Sequence, residues 1–238
     1  MQNIDQRDSE LRSAVFVGDG QRLVAVLLQE PWEDRLQLTG DSLLIALTQG
    51  VDRASELASE CASKLSARGW EGDEDLAEQL DAALGEQPAP MLQPLPVDLE
   101  ELAAILEGDP IYSGGRIDLR TGEVWPQAAI DYARETGEDD PDDDPDRWLV
   151  LWCEGSRDGY RDMEDFIETV RDGDLADRLP IAISGRGAFR RFKDVLGRWP
   201  GEHERWYAFS DERQRGRARA WLAAAGYSPH RPERHRPT

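Results

Sequence analysis

The chain has little of what most catalytic and membrane chemistry draws on. Its 238 residues hold two cysteines, Cys61 and Cys153, and neither has a second cysteine at metal-ligand or redox spacing, so the expected state is two buried, reduced thiols. Lysine occurs only at Lys64 and Lys193, the other basic residues being arginine. His203 falls in an expected loop and His230 and His235 near the end, which leaves no histidine placed as a base. No apolar run approaches the roughly 20 residues that span a bilayer, and the opening residues do not form a signal peptide, so the expectation is a cytoplasmic protein without membrane contact. The arginine and alanine bias suggests a GC-rich bacterial coding sequence.

Negative charge is what the chain has in excess. The formal net charge is -21, and it is unevenly spread: 18 acids against 7 bases in residues 1–97, 17 against 4 in 98–154, and 14 against 17 in 155–238. Such a balance excludes a protein that coats DNA by neutralising phosphates, but it leaves the last third free to present a local basic patch.

Prolines at 88, 90, 94 and 96 mark an extended linker over residues 88–96. Before it, apolar residues recur at helical spacing between glycine-containing breakers, as in Ala54, Leu57, Ala58, Cys61 and Leu65. An acidic all-helical domain of about five short helices is expected over 1–87. After the linker a helix runs from Val97 to Leu106, and the period then changes. Ile111 to Asp118 and Glu123 to Trp125 form a hairpin around Leu119-Arg120-Thr121-Gly122. Arg147 to Cys153 is apolar on both faces and is expected as a central strand, with Trp148 and Trp152 pointing the same way. Trp206 to Phe209 is expected as a further short strand. Helical stripes follow from Met163, Phe166, Ile167 and Val170, from Phe189, Phe192, Leu196 and Trp199, and from Ala218, Trp221, Leu222 and Ala225. The expected fold class is α+β: the helical domain, then a domain at 97–227 with a small antiparallel sheet, a hairpin plus two further strands, packed with helices. Residues 228–238 read as a disordered tail.

The hairpin IDLRTGEVW, the helix start Asp162 to Ile167, the segment AISGRGAFRRFKD, the WYAF stretch and the closing Ala-x-x-Trp-Leu of Ala218 to Leu222 resemble, in this order, a bacterial uncharacterised protein family, UPF number one hundred and fifty-eight. The resemblance covers about residues 112–227. It implies the domain boundary and the α+β reading. No activity, ligand or catalytic residue comes with it.

One candidate anion site stands out. In Ser184-Gly185-Arg186-Gly187-Ala188, capping of a helix by Ser184 or Gly185 would turn first-turn amides outward, the glycines would let a ligand approach, and Arg186 and Arg190 could clamp a phosphate or carboxylate. The competing reading is a structural cap with glycines for close packing. Arg213, Arg215, Arg217 and Arg219 alternate along a helix, which spreads them around it and points to a solvated structural helix. The run GEDDPDDDPD at 137–146 fails the EF-hand pattern and reads as a surface loop. Asp118, Glu123, Glu154, Asp162, Glu164 and Asp165 are the carboxylates an enzyme would use, but no nucleophile, zinc or phosphate-loop motif accompanies them. No catalytic residue, metal site or cofactor is assigned. The expected function is a non-enzymatic interaction or regulatory protein with a basic, aromatic-flanked surface around Arg186 to Arg198 and a protein partner. Small-anion or nucleic-acid binding, and a carboxylate-dependent enzyme on a phosphorylated substrate or nucleic acid, are the alternatives.

Overall fold

A computed structural model describes residues 3–29, 31–108, 114–137, 146–153 and 155–230. Five helices form the N-terminal part: α1 (Asn3–Val17), α2 (Gly20–Leu27), α3 (Leu36–Thr48), α4 (Ala54–Arg68) and α5 (Asp73–Leu84). Their apolar stripes, including Leu23, Leu43, Ala58, Cys61, Leu65, Leu76 and Leu80, close on one another as a single core. Glycines in the left-handed region end α4 at Gly69 and α5 at Gly85, where an L side chain would be strained.

Strand β1 (Gln93–Leu95) lies inside the expected linker, and helix α6 (Leu99–Leu106) follows it. Asp98 caps α6 by accepting from the Glu100 amide at 2.8 Å. Strands β2 (Gly114–Asp118) and β3 (Val124–Pro126) form the expected hairpin, with Ile117 opposite Val124. Gly122 takes a positive φ in its turn, and a Cβ there would stand 2.2 Å from the Pro96 carbonyl oxygen, so the turn rests directly on the linker backbone. Helix α7 (Gln127–Thr136) leads to β4 (Trp148–Trp152), which pairs antiparallel with β2. Then come α8 (Arg157–Glu168), α9 (Gly173–Ile183), α10 (Ala188–Leu196), the 25-residue α11 (Pro200–Ala224) and β5 (Tyr227–Pro229). The fold class is α+β, as the sequence pattern implies, with an antiparallel sheet ordered β3-β2-β4.

Four expectations are corrected. Trp206 to Phe209 is not a strand but part of α11, because Pro200 starts a helix upstream and Trp206 and Phe209 then meet Phe166 of α8 from one helical face. The sheet consequently has three strands. Strand β4 is at the sheet edge, not its centre, and its two tryptophans part company: Trp148 is 6% exposed and Trp152 75%. The expected linker does pair: β1 runs parallel to β5, Gln93 opposite Tyr227, so residues 228–230 are held in place at the start of the expected tail. The helical stripes of α8 and α10 and the end of α11 meet expectation, with Gly226 in the left-handed region just past the helix. The expected acidic loop lies mostly outside the described residues, as do Ile111, Tyr112 and Glu154. Among the described residues no helix is long and apolar enough to cross a membrane.

Helix α11 belongs to two cores at once. Trp206 packs with Phe166 and Phe192, while Ala218 and Leu222 pack with α6 and the sheet. Between these ends it touches the N-terminal helices backbone to backbone. A Cβ on Gly216 would lie 2.2 Å from the Glu71 carbonyl oxygen, and one on Gly72 would lie 2.1 Å from the Gly216 carbonyl oxygen.

Trp148→Ala is expected to lower stability by about 3–5 kcal/mol, as for a buried large aromatic. Trp152→Ala is expected to stay within about 0.5 kcal/mol, as for an exposed side chain. Urea denaturation of the two variants checks the pair.

Candidate functional site

The arginines of α11 account for much of the chemistry that the sequence leaves open. Arg215 and Arg219 are four apart and share a face, which the alternate-position reading overlooks, and both donate to Asp41 of α3. Arg219 is fully buried, and its Nε donates to Gln37 Oε1 at 2.9 Å. Arg213 and Arg217 share another face and both reach Asp162 of α8, while Arg217 also pairs with Glu107. The expectation of a solvated helix is therefore corrected: these guanidiniums are structural ion-pair partners, two of them inside the protein.

Glu212 completes this lock. Helix α3 has Arg35 at its N-cap and no side-chain cap of its own. The amides of Gln37 and Leu38 instead donate to Glu212 of α11, Gln37 at 2.9 and 3.0 Å. A carboxylate at the positive end of the helix macrodipole satisfies amides that would otherwise be unpaired. Arg68 of α4 donates to Glu212 at 2.9 Å and forks onto Asp73 at 2.7 and 2.8 Å. Gln37 Nε2 closes the circuit by donating to Asp73 at 2.9 Å. Burial works hardest against the charged form of Glu212 and leaves its pKa raised despite Arg68 and the two amides. Asp41 is also opposed by burial, but Arg219 and Arg215 outweigh this and hold its carboxyl below the ordinary range.

The described carboxylates that the sequence offers to an enzyme fall in two places, Asp118 and Glu123 on the hairpin and Asp162, Glu164 and Asp165 on α8. Asp118 accepts from the Arg120 amide at 2.8 Å and from Arg147 at 3.0 and 3.1 Å, which fixes the hairpin turn. Asp162 is buried under Arg213 and Arg217, and Asp165 pairs with Arg213. Glu123 and Glu164 are exposed on different elements. Among the described residues no group of three or more histidine, cysteine, aspartate or glutamate side chains is arranged to hold a metal ion. Cys61 is fully buried, and burial pushes its thiol pKa up. Cys153 is only half-buried, with Sγ 2.8 Å from the Gly108 carbonyl oxygen, which corrects the expectation that both thiols are buried.

The Ser184–Ala188 segment joins α9 to α10. Ser184 is the C-terminal cap of α9, its hydroxyl donating to the Pro180 carbonyl at 2.9 Å, and Gly187 is the N-cap of α10. Gly185 and Gly187 both have positive φ, at 77° and 75°, and a Cβ on Gly185 would meet nothing. The glycines therefore serve backbone conformation, not close packing. Sequence reasoning missed Arg191, whose guanidinium donates to the carbonyls of Ala182, Ser184 and Arg186 and gathers the turn around itself. A Gly-x-Gly turn followed by an arginine four residues on is the signal, since such a turn leaves carbonyls that need a donor. Arg186 and Arg190 point outward, and Arg190 is only loosely paired with Asp194 at 3.9 Å.

Beside this turn lies a shallow hollow of about 340 Å³. Ile181, 74% exposed, lines it with Val195 and Arg191, and Arg178, Arg198 and Asp194 complete the lining.

The family model described as Uncharacterised protein family (UPF0158) matches residues 130–233, from α7 through β5. The chain is similar to the UPF0158 protein PA5073 of Pseudomonas aeruginosa, with 27% identity over 137 residues, covering 55% of this chain and 84% of that protein. No solved structure matches the chain.

Asp41→Asn is expected to cost about 3 kcal/mol near neutral pH, because it leaves two buried guanidiniums short of their counter-charge. A carboxyl with a depressed folded pKa contributes stability above its ordinary value, 3.8 for aspartate, and loses it as the pH falls through the folded value. The gap between the variant and the parent should therefore narrow on acidification below 3.8, as measured by urea midpoints across pH.

Proposed function

From the match of residues 130–233 to the model described as Uncharacterised protein family (UPF0158), and from the surface this segment presents, we propose that the protein is a non-enzymatic interaction or regulatory protein. The observation that carries the reading is the exposed Ile181 in a hollow that Arg178, Arg198 and Asp194 also line. A large apolar side chain left in water beside Arg178 and Arg198, with Asp194 in the same lining, fits a partner segment that brings an apolar side chain and a carboxylate. The locked state of Asp118, Asp162 and Asp165 supports binding over carboxylate catalysis, since each is already committed to arginine.

A small anion is the second ligand this end of the molecule favours, at Ser184, Gly185, Arg186, Gly187 and Arg190. The first turn of α10 has no side-chain cap, and Arg186 and Arg190 are exposed next to it. Arg191 is held by the turn's own carbonyls and is not available to such an anion.

For the protein partner, tagged parent and an Ile181→Asp/Arg198→Glu variant are compared in lysate, with and without nuclease. A partner that survives nuclease, is retained by the parent and is lost by the variant is the expected result. Loss on nuclease treatment points to nucleic acid instead, and equal retention by both proteins removes the surface from consideration. For the anion, phosphate should shift the amide resonances of residues 183–191 in a saturable way, and Arg186→Ala/Arg190→Ala should abolish the shifts without unfolding the protein. Unchanged parent spectra at millimolar phosphate would leave the segment as a structural turn alone.

A further inference from the structure

A second concavity, of about 970 Å³, lies between α1, α10 and α11 and shares no lining residue with the hollow beside Ile181. Its volume falls at the upper end of the range for small-molecule sites. Tyr207, Ser210, Asp211 and Gln214 line it from α11 at positions i, i+3, i+4 and i+7, which place them along one face. Phe189 and Lys193, four apart on α10, face them, and Arg12 closes the α1 side.

These side chains divide into chemical roles. Tyr207 and Phe189 remain 49% and 38% exposed, and Phe189 is seated against the start of α8, where a Cβ on Gly159 would lie 3.2 Å from its ring. Phe189 thus has a firm backing, and Tyr207 meets the His203 ring in a T-shaped arrangement with centroids 4.7 Å apart. Asp211 is tied to Arg12 at 2.8 Å, and Glu107 is tied to Arg217, so both carboxylates are fixed on the wall. Lys193 makes no ion pair among the described residues and is exposed at the cleft. Gln214 Nε2 lies 3.2 Å from Ser210 Oγ, so a hydroxyl and an amide stand side by side. Arg12 is committed to Asp211 and Glu100, and Arg35 lines the cleft as a buried residue.

We propose that this cleft is a binding site for a nucleoside monophosphate, with Lys193 taking the phosphate and Phe189 and Tyr207 taking the base. Every base has a π face that stacks on an exposed aromatic ring, and an ammonium is a ready phosphate partner. Asp211 provides acceptors for ribose hydroxyls, as acidic residues do at other nucleotide sites. Ser210 and Gln214 supply donors and acceptors for the base edge. A single phosphate matches the one ammonium of Lys193, whereas a triphosphate would bring further negative charge towards Glu107 and Asp211 on the same wall.

Isothermal titration of the full chain with AMP and GMP tests the site, alongside adenosine and inorganic phosphate. The expected result is saturable binding of at least one of the two nucleotides, one per chain, with adenosine and phosphate each weaker by about tenfold or more. Lys193→Gln and Tyr207→Ala should each weaken the nucleotide by about tenfold or more. Both Lys193 and Tyr207 are exposed, and melting curves that match the parent certify the folded state; if Tyr207→Ala melts early, Tyr207→Leu and Lys193→Gln carry the comparison. Absence of saturable binding for both nucleotides into the millimolar range overturns the proposal. So does nucleotide binding that these variants leave unaltered, or binding matched by inorganic phosphate alone.

Discussion

Glu212, a buried carboxylate near the middle of the longest helix, caps a helix 175 residues earlier in the chain, and much of the structure is arranged around that contact. Ordered amides at the start of α3 need an acceptor, and no local side chain supplies one. Once α11 provides it, the buried charge needs a counter-charge, which Arg68 supplies, and Arg68 in turn orders Asp73. Asp41, Arg215, Arg219 and Gln37 extend the same circuit along the helix. Desolvation makes such a network costly in any arrangement but the paired one, so its effect is to fix the rotation and register of α11 more than to add raw stability. The mutual approach of Gly72 and Gly216 works in the same direction, since only backbone fits between them.

This constraint has a functional consequence. With its arginines committed inward, α11 leaves Tyr207, Ser210 and Gln214 to the cleft against α10, and it anchors Trp206 beneath that cleft. The basic character of the last third of the chain is thereby divided. The arginines of α11 serve the fold, whereas Arg178, Arg186, Arg190 and Arg198 on α9, α10 and the segments that flank α10 remain on the surface. A basic patch inferred from charge counts alone would have pooled the two groups.

The five N-terminal helices were legible because their apolar spacing is strongly periodic and glycines mark their ends. The hairpin was legible from its turn chemistry. WYAF was misread because four apolar residues suit a short strand and a buried helical turn equally, and what decides is the run of helix on either side. The edge position of β4 was not legible at all: its residues alternate little, and whether Trp152 meets a neighbour depends on strand order. Of the candidate anion segment, the turn and the start of α10 are legible in the sequence, but the expected cap at Ser184 or Gly185 is not the one formed: the backbone places it at Gly187 and brings in Arg191 from the next turn.

Local spacing thus determined the helical stripes, the hairpin, the α+β class and the separation of an acidic from a mildly basic part, because each rests on side chains within a few residues of one another. Tertiary structure alone decided which arginines are free. Pairing of Asp41 with Arg219 or of Glu212 with the α3 amides joins residues more than 170 positions apart. No periodicity encodes such pairs. It also decided that Lys193 and Tyr207, ordinary surface positions in the sequence, stand on the walls of one cleft. That juxtaposition follows from the packing of α10 against α11 and from the buried ion pairs that hold α11 in place.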